Sequence, residues 1–158
     1  MDLNVGNVKV RKDLGATVPV EIFRILRLHG FEPLFGKSSN AITMSCGRDL
    51  GLKIGSAIMI EHPTLESYVN NVVAFFAENN IGLVSLRPEG SEFIVQVDEC
   101  VSCAGVTNIG KCICGFEGGI ISGIFQAFFA GSFYVKEMKC WANGDTTCEF
   151  LVKDLKEM

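Results

Sequence analysis

Clustered positive charge, histidine and polar aromatic residues are what this sequence is short of. Its 14 lysines and arginines are scattered and outnumbered by 18 acidic residues, leaving a formal charge of -4. Phosphate recognition needs grouped Lys and Arg, so nucleic acid is excluded as a main partner. The only histidines are His29 and His62, neither at a spacing from a serine or cysteine that suggests an activated nucleophile. His29 falls in the last turn of an expected helix, where partial positive charge suits the dipole. No catalytic constellation emerges. Met1–Leu14 is charged and mixed, with no apolar run ahead of a small-residue cleavage site. No secretory leader is therefore expected, and the chain reads as cytoplasmic. Low-complexity tracts, long linkers and internal repeats are also lacking, so residues 1–158 are expected to form one domain.

What is present is apolar. Twelve phenylalanines stand against two tyrosines and one tryptophan. Burying such a side chain contributes roughly 1.5–3 kcal/mol, which is ample for a core with apolar surface to spare. The surplus implies a lined cavity, a subunit interface, or both. From Gly115 to Val135 the only strongly polar residues are Glu117 and Gln126, which imitates a membrane span. Five glycines interrupt it and the apolar stretch is short, so a buried core or interface helix is expected, without membrane insertion. Phe125 and Phe129 share one side of that helix, Ile124 and Phe128 the adjacent side. One face can serve the core while another meets a partner, so a homodimer is expected.

The order of elements follows from periodicity and punctuation. A helix opens at Pro19 with Ile22, Phe23, Ile25 and Leu26 at helical spacing, and Gly30 is its expected stop. Ser38 or Ser39 caps a second helix running to about Ile54. Pro63 and Thr64 open a third that ends near Asn79–Gly82. Residues 81–86 and 92–99 flank the turn-like Arg87-Pro88-Glu89-Gly90. After the Phe-rich helix, Ser132–Cys140 and Thr146–Lys153 form a last hairpin around Asn143-Gly144. The sum is an α+β fold: a helical part over about 17–80, then an antiparallel sheet of about four strands with the Phe-rich helix over about 81–154.

Seven cysteines are many for a chain without a secretion signal, which favours metal binding over a disulfide framework. Glu137-x-x-Cys140 and Cys148, all following Cys114, supply three soft thiolates and a carboxylate. Four such protein ligands close a tetrahedron and leave no open position, the pattern of a structural zinc site. A three-residue loop, Asn143-Gly144-Asp145, would place Cys140 opposite Cys148. Glu137 and Cys140 differ in strand parity, so a bulge or a strand end must turn one of them. The residues alone leave buried free thiols and a Cys140–Cys148 disulfide open as well. Cys100-x-x-Cys103 and Cys112-x-Cys114 form a second group, for which ordinary loop or core cysteines are favoured over zinc, an iron–sulfur cluster or a redox pair. Gly47, Gly51 and Gly55 recur every fourth residue, and close helix-on-helix contact is favoured over a ligand lying against them. Gly105–Lys111 lacks a serine or threonine after its lysine and is no phosphate loop.

Cys114-Gly115-Phe116-x-x-Gly119-x-x-x-Gly123, followed by Glu137-x-x-Cys140-x-x-x-Gly144-x-x-x-Cys148-x-Phe150, resembles the 4-vinyl reductase domain family. The match covers mainly residues 83–153, and Gly47-Arg48-x-Leu50-Gly51 resembles the family's amino-terminal part. The resemblance implies a fold like the small subunits of TRAPP vesicle-tethering complexes, usually paired as dimers. It also implies kinship with sensor domains that respond to aromatic hydrocarbons, in which a matching Cys, Glu, Cys, Cys set binds zinc beside a hydrophobic effector pocket. Cys114, Glu137, Cys140 and Cys148 stand at those positions. The expected function is binding or sensing of a small hydrophobic or aromatic molecule without catalysis. The alternatives are a reductase or accessory protein acting on a vinyl or tetrapyrrole substrate, and a non-catalytic assembly module.

Overall fold

Pro19 stands immediately ahead of α1 (Val20–Ile25), where its missing N–H costs no helical bond. The computed structural model describes residues 11–15 and 17–156; most of Met1–Leu14, the stretch without a leader pattern, lies outside them. The first helical segment does not end at Gly30. It widens into a π-helical turn over Leu26–Phe31 and continues as α2 (Glu32–Phe35), stopping at Gly36 with φ +52°. Glycine costs a helix roughly 1 kcal/mol against alanine. Here the turn is held by Arg27, whose buried guanidinium donates to Ser102 Oγ and to the Ile113 carbonyl.

A short 3₁₀ turn leads into α3 (Ser39–Ala57), followed by α4 (Leu65–Glu78). Thr64 caps α4 in a reciprocal box with Ser67, each backbone N–H bonding the other's hydroxyl at 3.1 Å. Then come β1 (Leu83–Glu89), β2 (Glu92–Asp98), α5 (Gly115–Phe129), β3 (Phe133–Lys139) and β4 (Cys148–Asp154). The four strands form one antiparallel sheet in the order β1-β2-β4-β3, the α+β arrangement expected from the sequence. Arg87 and Pro88 belong to β1 and not to the turn, which is Gly90-Ser91 between paired Glu89 and Glu92. Pro88 is tolerated because β1 is an edge strand, where a missing N–H leaves no ladder partner wanting.

Helix α5 lies between two apolar layers, which explains a composition so close to that of a membrane span. Ile121 and Phe125 pack with Val95, Val97, Val135, Phe150 and Val152 of the sheet. Ile120 and Ile124 pack with Ile54 of α3 and with Tyr68 and Phe76 of α4. A helix covered on both sides is apolar nearly all round. No helix among the described residues is long and apolar enough to cross a membrane.

The glycine repeat of α3 meets a second one on α5. A Cβ at Gly47 would overlap the Phe116 carbonyl and one at Gly51 the Ile120 carbonyl, while Gly119 and Gly123 face the backbone of Met44 and Arg48. The two backbones therefore touch, with no room for a ligand between them. Gly51→Ala is expected to destabilise the fold by about 1–3 kcal/mol in urea denaturation, despite alanine's better helix propensity. The added methyl would stand 2.7 Å from Ile120 Cα, with backbone on both sides and nothing able to swing away. A gain in stability would mean the helices part easily.

Candidate functional site

Five cysteines converge at one end of the sheet. Cys100 and Cys103 sit on the turn that leaves β2, where the Cys103 and Ala104 N–H groups bond the Cys100 carbonyl at 3.2 and 2.9 Å. Cys114 precedes α5, Cys140 follows β3, and Cys148 opens β4. All five are buried, each 0–1 % exposed. Cys103 Sγ lies 3.1 Å from Cys148 Sγ and 3.2 Å from Cys114 Sγ. Cys114 Sγ is 3.6 Å from Cys100 and from Cys148, and 3.7 Å from Cys140.

Local structure aims each group. Between Glu137, paired with Phe150, and Lys139, paired with Glu149, the ladder carries a bulge. It corrects the parity mismatch, so that Glu137 and Cys140 both reach the cluster. Cys140 is fixed from the turn, its N–H bonding Asp145 Oδ2 at 2.8 Å. Glu137 Oε2 accepts from the Cys114 N–H at 2.9 Å, whereas Oε1 is buried with no hydrogen-bond partner. Burial, and then the neighbouring Cys140, push the Glu137 carboxyl up to about 9.

The donor atoms of Cys114, Glu137, Cys140 and Cys148 all lie within 4.8 Å of one another. Those of Cys100, Cys103, Cys114 and Cys148 do so as well. The four residues singled out in the sequence are thus brought together, and the C-x-x-C pair set aside as ordinary loop cysteines joins them. Its signal was the chelating spacing itself, placed directly behind a strand. Cys112, half-buried, belongs to neither set, and Cys46 is exposed. The donors suit a thiophilic cation on two counts. Soft sulfur dominates, and an orphaned carboxylate oxygen that is costly to bury alone points into the group.

Sequence reasoning missed a buried polar network beside the cluster. Glu117 is fully buried; its Oε1 accepts from Ser102 Oγ, and its Oε2 is 4.0 Å from Arg27 Nη1. Burial raises the Glu117 carboxyl, and the Arg27 charge opposes that shift. The signal was available: a carboxylate in the first turn of an otherwise apolar helix requires a partner.

A second feature lies on the far side of α5. Residues of α4, β1, β2 and α5 enclose an apolar groove with about 460 Å³ of empty space, its solvent-facing mouth included. Val72, Val84, Val95, Ile121 and Phe128 line it, and Leu65 and Phe129 are its exposed members. Tyr68 carries the sole side-chain hydroxyl of the lining, and it donates to the Ile124 carbonyl at 3.0 Å. Burial pushes that phenol up to about 12, so it stays neutral. The rings of Phe93, Phe125, Phe129 and Phe133 stack at one end, with centroids 5.3–6.0 Å apart.

Residues 93–154 match the family model of the 4-vinyl reductase domain. The chain is 30% identical over 150 residues to the uncharacterized protein MJ0150 of Methanocaldococcus jannaschii, covering 94% of this chain and 83% of that protein. Among solved structures, the phenol-responsive sensory domain of the transcription activator PoxR, determined with phenol, aligns with a TM-score of 0.72 at 12% identity. That alignment covers 90% of this chain and 78% of the PoxR chain. A vinyl-4-reductase family protein from Methanocaldococcus jannaschii aligns at 0.66 and 19% identity, over 94% of this chain and 88% of its own. A trafficking protein particle complex subunit 3 from Naegleria fowleri, covalently bound to palmitic acid, aligns at 0.63 and 11% identity, over 85% and 94%. At these identities the three structures are alike in fold alone.

Proposed function

The chain belongs to the 4-vinyl reductase domain family, and from that premise we propose that it binds a small hydrophobic molecule in the groove between α4, α5 and the sheet, within a fold tied together by zinc. The observation that carries this reading is the lining: a space walled by Leu, Ile, Val and Phe, whose one hydroxyl is already spent on a backbone carbonyl. Such a wall rewards a ligand that asks for no hydrogen bond, an aromatic ring or an acyl chain. Phenol in the PoxR domain and palmitate on the trafficking subunit are ligands of that character in proteins of like fold. With no titratable group free in the lining, the groove is suited to binding and not to turnover.

Thermal melts test the reading. A ligand at a hundred times its Kd adds about 2.7 kcal/mol, or several degrees for a chain of this size. Phenol or a fatty acid is expected to raise the melting temperature with concentration. Val72→Trp, which fills the groove from α4, should abolish the shift while leaving the fold intact. No shift across a panel of aromatics and acyl chains would leave the assembly-module reading.

In the metal site Cys114, Glu137, Cys140 and Cys148 would hold one zinc ion, which supplies a closed, non-catalytic cross-link between the start of α5 and the β3–β4 hairpin. The homodimer remains part of the proposal, but on a different surface. Ile124 and Phe125 are buried within the chain, at 3 % and 6 % exposure, so α5 has little apolar face to offer a partner. Ile22, Ile25 and Leu26 on the first helical segment are instead 54–56 % exposed. Sedimentation should find a dimer at micromolar concentration, and Ile25→Glu should convert it to monomer.

A further inference from the structure

We propose that the cluster holds two divalent ions of the zinc class, bridged by the thiolates of Cys114 and Cys148. The first ion is the one already proposed. The second takes Cys100 and Cys103 as its terminal ligands and shares Cys114 and Cys148 with the first.

The donors outnumber what one ion can use. Six donor residues, five buried cysteines and Glu137, meet at this end of the sheet and fall into two complete four-donor sets with two members in common. A structural zinc ion takes four ligands. A single ion in the Cys114–Glu137–Cys140–Cys148 set leaves the sulfurs of Cys100 and Cys103 buried without a metal. Placed in the all-sulfur set, it leaves Cys140 and the orphaned Glu137 Oε1 instead. Two ions sharing two sulfurs use every donor, with four ligands each. Spacing agrees: zinc–sulfur bonds of about 2.3 Å put tetrahedral sulfurs about 3.8 Å apart. The sulfur pairs here are 3.1–3.7 Å apart, so the ligands need only small outward movement. The C-x-x-C turn is already closed by the Cys103 N–H to Cys100 carbonyl bond, which sets both sulfurs on one side as a chelate requires.

Charge agrees as well. Five thiolates and a carboxylate exceed two divalent ions by two negative charges. Two arginines reach the loop that carries the second ion's terminal ligands. Arg24 Nε donates to the Val101 carbonyl at 2.8 Å and its Nη2 to the Cys100 carbonyl at 3.5 Å. Arg27 Nη1 donates to Ser102 Oγ between the two cysteines. Groups placed so beside a thiolate centre hold its ligands and offset its charge. Each thiol gives up its proton to solvent as the metal binds. A second ion would therefore extend the cross-link from the hairpin and α5 to the β2–α5 loop, and through Arg24 and Arg27 to the first helical segment.

This inference rests on the single-zinc reading through the shared Cys114 and Cys148, and the two can fail separately. The full chain, purified reduced and loaded with zinc, is weighed by native mass spectrometry; two ions per chain are expected. The Cys100→Ser/Cys103→Ser double variant should carry one. Loading with cadmium-113 supplies a readout that needs no variant: two resonances are expected, split by mutual coupling through the shared sulfurs. One ion on the reduced wild-type chain overturns the second site and leaves the first. No metal overturns both. Iron with acid-labile sulfide in place of zinc, two uncoupled cadmium resonances, or two ions retained by the double variant would also overturn the bridged pair.

Discussion

Stripping the metal with a strong chelator under reducing conditions is expected to abolish the cooperative thermal transition or to lower its midpoint by tens of degrees. The apparent binding energy of a structural zinc ion is about 10–16 kcal/mol in small domains. A chain of this size has a total stability of about 5–15 kcal/mol, so the metal's share is comparable with the whole. The physical reason is topological. The β2–α5 loop, the start of α5 and the β3–β4 hairpin are distant in sequence, and the described cysteine and glutamate contacts bring them to one point. Cys140→Ser should reproduce most of the loss, because serine is a poor ligand for a soft ion. Glu137→Gln separates ligation from hydrogen bonding: glutamine can still accept from the Cys114 N–H but is a far weaker ligand. Cys46→Ser, on an exposed thiol outside both donor sets, should leave the midpoint unchanged. Melting curves that ignore the chelator would remove metal from the account of this fold.

The residues that could be read in advance are those whose constraint is local. Thr64 with Ser67, the hydrophobic period of α4 and the alternation of β2 each express one element's own requirements, and each element stands where its pattern put it. The β3 bulge could be anticipated because Glu137 and Cys140 cannot share a strand face without it. Gly30 misled because a helix stop is a local rule, overridden here by Arg27 bonding to Ser102 and Ile113, 75 and 86 residues away. Pro88 misled because only the strand order, with β1 at the edge, tells which N–H groups are dispensable. Cys100 and Cys103 were visible as a chelating pair, but their meeting with Cys114 and Cys148 depends on β2 lying against β4, a pairing that no local signal specifies. The groove has the same origin: its lining comes from four elements, so phenylalanine content pointed to apolar space without saying where.

Arg27→Met should cost about 3–5 kcal/mol, the penalty for leaving one member of a buried ion pair behind. Arg27 is 9 % exposed and Glu117 0 %, so neither charge can turn to solvent. The loss should depend on pH, and its sign follows from Glu117. Burial raises that carboxyl in the folded state, and Arg27 holds the shift in check. Without Arg27 the folded value rises further above the unfolded value of about 4.3. A raised acid binds more protons folded than unfolded, so stability falls as pH climbs from the unfolded value through the folded one. The variant should therefore lie nearest to wild type at the acidic end and fall away toward neutral pH in urea titrations. Adding Glu117→Gln supplies the control. Glutamine can still accept from Ser102 and carries no charge, so Arg27→Met/Glu117→Gln should recover much of the loss and flatten the pH dependence. Equal losses at all pH values, unchanged by the second substitution, would mean that Arg27 acts through its bonds to Ser102 and Ile113 and its stacking 5.9 Å over Phe23, and not through charge.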